Sequence, residues 1–228
     1  MDARIAAFFP EMPPMVGFAA TATFRSWGPP RQGDAYSSLD KQVERLPELS
    51  GPAIVVFQDL DSPPVAATFG KIMYTTYQSF GAVGLVTSGA GRDLNQVLKF
   101  DFPVFTNGPI CSHGYSSIPQ IHILVHVGGI PIYPDDLLHA DCNGVMTITK
   151  DIASEIADIG DEYIAAEMLI IEAVREFRGD STRLHAAQAE SKARMDKMCA
   201  RVTHKIVRAT LCGCPGDHIG SPYKWRRQ

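Results

Sequence analysis

What this chain has little of narrows it before any motif is read. Its five cysteines, Cys111, Cys142, Cys199, Cys212 and Cys214, are odd in number and irregular in spacing, so they do not spell out the disulfide framework of a small secreted domain. Cys212, Cys214 and His218 lack the paired spacing and the fourth ligand of a zinc site, and Cys111 and Cys142 read as packed thiols. No apolar run approaches the roughly 20 residues of a membrane span, and residues 1–9 have neither the basic start nor the apolar length of a signal peptide. Charge of one sign is also scarce: a formal net charge of −4 gives no basic surface for nucleic acid, and the tail 223–228 is too short to supply one. The expected protein is therefore cytoplasmic, with no membrane and no nucleic acid among its partners.

What is present suits a folded α/β domain. A chain of 228 residues that is 45% hydrophobic can bury a sizeable core. Residues 1–14 carry three prolines, which argues against a long helix and reads as an arm. Residues 16–24 read as a first strand, and 28–34 (GPPRQGD) as a loop. Residues 38–46 read as a short helix with Leu39, Val43 and Leu46 on one face and Ser38 or Ser37 as its cap. Three further strands are expected at 52–57, 83–87 and 104–107, each a short apolar run bounded by turn residues. Helices fall between them at 71–80 and 94–99. That βαβαβ order implies parallel neighbours joined by right-handed crossovers. Residues 121–127 alternate, with Ile121, Ile123, Val125 and Val127 on one face and His122, Leu124 and His126 on the other, as in a strand with one face on the core.

Chemistry concentrates in the loop after the 83–87 strand, Ser88-Gly89-Ala90-Gly91-Arg92-Asp93. The glycines allow a tight path, and the loop delivers Arg92 and Asp93 to the carboxyl end of a strand, where α/β folds bind ligands. Arg offers a fixed fork of donors to a carboxylate, and Asp offers hard oxygen to Mg²⁺ or Mn²⁺. The same pair also suits a structural part, Asp93 capping the next helix and Arg92 making a surface ion pair. Upstream, Gly70 opens a helix whose free N–H groups can receive an anion. His113, His122 and His126 raise the thought of a metal, yet no carboxylate sits at a fitting distance. The polar face of a half-buried strand is an ordinary place for histidine. Asp135, Asp136 and Asp141 read as turn residues.

Residues 81–93 (GAVGLVTSGAGRD), followed by 102–105 (FPVF), resemble the core signature of the RraA-like family, which includes regulators of ribonuclease activity and 4-hydroxy-4-methyl-2-oxoglutarate aldolases. A second block, 127–145 (VGGIPIYPDDLLHADCNGV), resembles that family's closing pattern. The likeness implies an α/β domain of the layered β/β/α swivelling type over residues 15–149, preceded by the 1–14 arm and followed by additional C-terminal helices over 150–228. It also implies a homotrimer or homohexamer. For the site it implies that Arg92 and the amides near Gly70 hold the carboxylate of a small oxo- or hydroxy-carboxylic acid. Asp93 would hold Mg²⁺ or Mn²⁺, and a lyase, aldolase or decarboxylase, would work through a metal-stabilised pyruvate enolate.

Three positions depart from the family pattern. Lys71 stands where an acidic residue is expected, and its ammonium would repel the cation. Ser88 stands at a place often held by Asp, and Asp34-Ala35 where an Asp-Asn pair is expected. Two alternatives follow: a metal-independent enzyme on the same scaffold that uses Lys71, with Ser88, on a biosynthetic intermediate, and a non-catalytic protein-binding regulator.

The last third of the chain reads as helical. Over 151–177, Ile152, Ile156, Ile159, Tyr163, Ile170, Val174 and Phe177 form one stripe that also carries Glu167. A carboxylate on an apolar face needs a partner, and the resemblance implies that this glutamate reaches the site of a neighbouring subunit. A second helix to about residue 211 has a near-heptad seam of Leu184, Gln188, Ser191, Met195, Met198, Val202 and Ile206. Such a seam lies back on its own chain or meets another subunit, and the family's oligomers favour the second.

Overall fold

Apolar runs and alternation become a seven-stranded mixed sheet in the computed structural model, which describes residues 1–31 and 38–211, the side chains of 203–211 excepted. Asp34-Ala35, Ser37, the Cys212, Cys214 and His218 trio and the tail lie outside the described residues, as does the side chain of Ile206. The strands of the first unit, Met1–Lys150, are β1 (Ala6–Ala7), β2 (Met15–Phe24), β3 (Ala53–Asp59), β4 (Ala67–Phe69), β5 (Ala82–Thr87), β6 (Ala90–Gly91), β7 (Val104–Thr106), β8 (Val125–Val127), β9 (Ile130–Ile132), β10 (Leu137–Asp141) and β11 (Gly144–Ile148). Its helices are α1 (Leu39–Glu44), α2 (Lys71–Ser79) and α3 (Leu94–Leu98).

The large sheet runs β1-β7-β5-β3-β2-β10-β11. Strands β2, β3, β5 and β7 are parallel neighbours, as the helix-separated apolar runs require, and β1, β10 and β11 join antiparallel at the two sides. Because side chains alternate across a strand, β3 feeds two cores. Val55 and Phe57 face α1 and α2 through Val43, Met73, Tyr74 and Tyr77. Ile54 and Val56 face the opposite way, toward Val125, Val127 and Ile132 of the β8–β9 hairpin. The result is the three-layered β/β/α arrangement, and both faces of β3 are buried because each has a layer to meet.

Several local expectations are corrected. The alternating run 121–127 is a strand only at Val125–Val127. Ile121 makes a lone bridge to Ala22, and His122 at φ +58° breaks the ladder. The 1–14 segment is sewn into the sheet: β1 pairs with β7, and Ile5 is buried in the second core. Ser38 precedes α1 without a side-chain capping bond. Cys111 and Cys142 are exposed, not packed.

The second unit, Asp151–Gln228, contains α4 (Ala153–Glu176) and α5 (Ser181–Leu211). Gly179 at φ +82° turns the chain between them. Asp180 caps α5 by accepting from the Thr182 and Arg183 amides at 2.9 and 3.1 Å. Two residues of the α5 seam, Ser191 and Met198, are buried where α5 packs on α4, and the matching fully buried residue of α4 is the small Ala166. Tyr163 and Val174 of the expected α4 stripe are about half exposed. Among the described residues no helix is long and apolar enough to cross a membrane.

Candidate active site

Gly70, Lys71, Arg92 and Asp93 line one cleft of about 270 Å³, together with Phe69, Ile72, Met73, His113 and Ser116. The volume lies just under the roughly 300–1,000 Å³ of sites for drug-sized ligands, which suits a small acid.

The cleft is assembled by a second, two-stranded sheet. After β5 the chain passes Ser88 and Gly89, and Ala90–Gly91 then pairs in parallel with Ala67–Phe69. This brings the residues following β4 and β6 side by side: Gly70 and the start of α2 from one, Arg92 and Asp93 from the other. The glycines serve close approach here. A Cβ on Gly91 would stand 2.4 Å from the Phe69 ring, and one on Gly89 would overlap Thr68 Oγ1 and stand 2.5 Å from Asp59 Oδ2. A Cβ on Gly70 would stand 2.9 Å from both Arg92 Nε and Asp93 Oδ2, so the missing side chain is what lets those two groups into the cleft.

Asp93 occupies the N-cap position of α3 in a left-handed conformation, φ +62° and ψ +36°, yet its side chain does not cap that helix. It reaches across to α2 instead, where Oδ2 accepts the Lys71 amide at 2.7 Å. Such a backbone costs most non-glycine residues about 1–2 kcal/mol and is visited more readily by Asp. Arg92 Nε lies 3.9 Å from Asp93 Oδ2, with both side chains about one-third exposed. The Ile72 and Met73 amides, next in the first turn of α2, have no intrahelical acceptor and remain available to an anion. Two cations, Lys71 and Arg92, stand beside one carboxylate, Asp93, so the cleft carries an excess of positive charge.

Two other predicted site residues lie elsewhere. The Ser88 hydroxyl accepts the Asp59 amide at 2.9 Å, tying β5 to β3, and does not line the cleft. Glu167 is an exposed residue of α4 in the second unit. His122 lines a different, shallow hollow beside α1, and His126 is exposed with its amide bonded to Gln58. Sequence reasoning gave no part in this cleft to His113 and Ser116. They reach it on a segment without periodicity, held by long-range backbone bonds that no local pattern announces.

The fit of a divalent cation is modest and specific. Among the described residues no three His, Cys, Asp or Glu side chains converge, which rules out a preformed protein cage there. A single carboxylate completed by water and substrate oxygens is, however, a usual way to hold Mg²⁺, and Asp93 Oδ1 has no hydrogen-bond partner among the described residues.

The comparisons bear on the same region. The model of the RraA-like family, described as Aldolase/RraA, matches residues 2–147. A Halalkalibacterium halodurans protein provisionally named as a 4-hydroxy-4-methyl-2-oxoglutarate aldolase is 29% identical over 124 residues, 54% of this chain and 59% of that protein. An uncharacterized Methanocaldococcus jannaschii protein is 29% identical over 118 residues, 51% of this chain and 56% of its own. The matched stretch is thus under two thirds of the length of either relative. Among solved structures, an uncharacterized Pseudomonas syringae protein superimposes with a TM-score of 0.63 at 21% identity, over 82% of this chain and 80% of that one. Streptomyces coelicolor RraAS2, described as an unusual member of the RNase ES inhibitor RraA protein family, gives 0.56 at 21%, over 72% and 80%. At these identities the two structures speak to the fold.

Proposed function

The chain belongs to the RraA-like family, and from that premise we propose that its cleft is the active site of a lyase that breaks a carbon–carbon bond in a small oxo- or hydroxy-carboxylic acid. The observation that carries this reading is the convergence of Arg92 and Asp93 on the open start of α2, a convergence that only a glycine at position 70 permits. The Arg92 guanidinium pairs with the substrate carboxylate through its fork of donors. The Ile72 and Met73 amides share that charge at the positive end of α2. Asp93, fixed by the Lys71 amide, would hold a divalent cation through its other oxygen. Mg²⁺ or Mn²⁺ bound there would supply a Lewis acid for the keto oxygen. Stabilising the negative charge that develops as the bond breaks, more than the charge of the bound acid, is what accelerates such a step.

Turnover of oxaloacetate with Mg²⁺ or Mn²⁺, with and without chelator, tests this reading. Loss of oxaloacetate above the metal-only background should be abolished by chelator and should fall at least 100-fold in Asp93→Ala and Arg92→Ala. No protein-dependent turnover would sink the reading.

One observation favours a second reading on the same scaffold: Lys71 lines the cleft beside Asp93, and among the described residues no converging set of metal ligands accompanies it. A metal-independent enzyme would keep its activity in chelator and lose it in Lys71→Ala.

A further inference from the structure

The segment that follows β7 is a strap across the cleft, and its backbone is stitched down at three places. Next to Arg92, Gly91 donates to the Gly108 carbonyl at 3.1 Å and accepts from the Ile110 amide at 3.0 Å. At β4, the Ala67 amide donates to the Ser112 carbonyl at 3.0 Å. At the exit of β2, the Tyr115 amide donates to Ser26 at 3.0 Å, and Arg25 and Ser117 exchange bonds of 3.0 and 2.9 Å. Gly114 passes so near Ser26 that a Cβ there would stand 2.7 Å from its carbonyl oxygen. His113 lies between the last two anchors and lines the cleft with Lys71, Arg92 and Asp93.

His113 Nδ1 lies 3.2 Å from the Gly114 carbonyl oxygen; a carbonyl can only accept, so the tautomer that makes this bond carries its hydrogen on Nδ1. Nε2 then holds the lone pair and has no partner among the described residues. Two of the other charged groups of the cleft are committed or unsuited. Arg92 does not give up its proton, and Asp93 Oδ2 is occupied by the Lys71 amide. Imidazole is the side chain that ordinarily takes and returns a proton near neutrality.

We propose that His113 is a catalytic residue of this cleft, the acid–base group whose Nε2 delivers the proton to the carbon freed by bond cleavage. The assignment rests on the lyase reading above. In a decarboxylation, the C3–C4 bond breaks and its electron pair becomes the C2–C3 double bond of the enolate, while CO₂ leaves. The protonated ring gives its Nε2 hydrogen to C3, forming pyruvate, and recovers a proton from solvent. In the reverse direction the neutral ring removes a C3 proton from pyruvate, which then returns from solvent.

The test follows the two half-reactions separately in the full chain with Mn²⁺ or Mg²⁺. Wild-type protein in D₂O should exchange the methyl hydrogens of pyruvate, followed by proton NMR, and should consume oxaloacetate. His113→Asn keeps an N–H where Nδ1 donates to Gly114, and His113→Gln places an amide near Nε2, but neither side chain can carry a proton. Both variants should lose pyruvate exchange at least 100-fold. Both should still bind oxalate, a planar mimic of the enolate, within about twofold of wild type, because Arg92, Asp93 and the start of α2 are unaltered. His113 is exposed, so far-UV circular dichroism should be unchanged. Exchange within about threefold of wild type in either variant overturns the assignment and leaves the lyase reading standing. A wild-type protein that neither exchanges pyruvate nor consumes oxaloacetate overturns both.

Discussion

At the scale of single residues, Gly70 shows how little the local backbone need say about why a glycine is required. Its φ of −153° is extended backbone open to any residue, so alanine would fit the chain conformation. What alanine cannot do is leave room for Arg92 Nε and Asp93 Oδ2. The atoms it would meet belong to side chains, which can swing away, so Gly70→Ala should cost function without costing the fold. Thermal unfolding should stay within a few degrees of wild type, while metal-dependent oxaloacetate turnover falls at least tenfold, about 1.4 kcal/mol at the transition state. Equal turnover would mean that the crowding at this point does not matter. The sequence pointed to Gly70, Arg92 and Asp93 because they sit beside strand ends and within a family signature. It could not give the direction of Ser88, whose hydroxyl turns back to the Asp59 amide. Nor could it bring in His113, which arrives through anchors at Ser26, Ala67 and Gly91, between 22 and 87 positions earlier in the chain.

At the scale of elements, the joint between the ends of β3, β4 and β5 carries a charge problem. Asp59 closes β3 and is only 8% exposed. Its Oδ1 accepts the Asp61 amide at 3.0 Å, while Oδ2 has only the neighbouring Thr68 hydroxyl, without a well-formed hydrogen bond. Burial, helped by the charge of Asp61 and opposed by that amide and by Thr68, pushes its pKa up to about 6. An unfolded aspartate titrates near 3.9, so the folded state holds the proton more tightly. The associated stability is therefore complete below about pH 4 and is lost as pH rises through about 6, to the extent of roughly 2–3 kcal/mol. Asp59→Asn supplies the same acceptor and cannot ionise. Urea unfolding at pH 5 and pH 8 should show the wild type losing stability relative to the variant across that interval, and parallel profiles would refute the account. Elements themselves were legible where one pattern had one solution. The runs in β3, β5 and β7 bury two faces, and helices between them force parallel pairing. The alternating 121–127 run misled because alternation records which faces are apolar, whereas the ladder ends at His122 for a backbone reason. The α5 seam left two readings open: a stripe shows that something packs on it, and α4 of the same chain covers Ser191 and Met198.

At the scale of the whole molecule, the two units differ in what they contain. Every buried residue of both sheet-face cores, from Ile5 to Val145, precedes Asp151, as does every residue lining the cleft. A chain ending at Lys150 should therefore fold alone, with native-like far-UV circular dichroism and one cooperative urea transition. It should also bind oxalate with unchanged affinity, since Arg92, Asp93 and the start of α2 are all retained. Turnover is a separate matter, because the family resemblance assigns Glu167 a place at a neighbouring subunit's site. Glu167 is exposed on α4, which leaves its carboxylate free to act outside its own hairpin. The expected pattern is a truncated protein that folds and binds but turns over oxaloacetate no faster than full-length Glu167→Gln. Full turnover by the truncated chain would remove both Glu167 and the helical hairpin from the reaction. Loss of folding on truncation would instead show that the sheet cores, though complete in residues, depend on the hairpin for stability, and Glu167→Gln alone would then decide the role of the carboxylate.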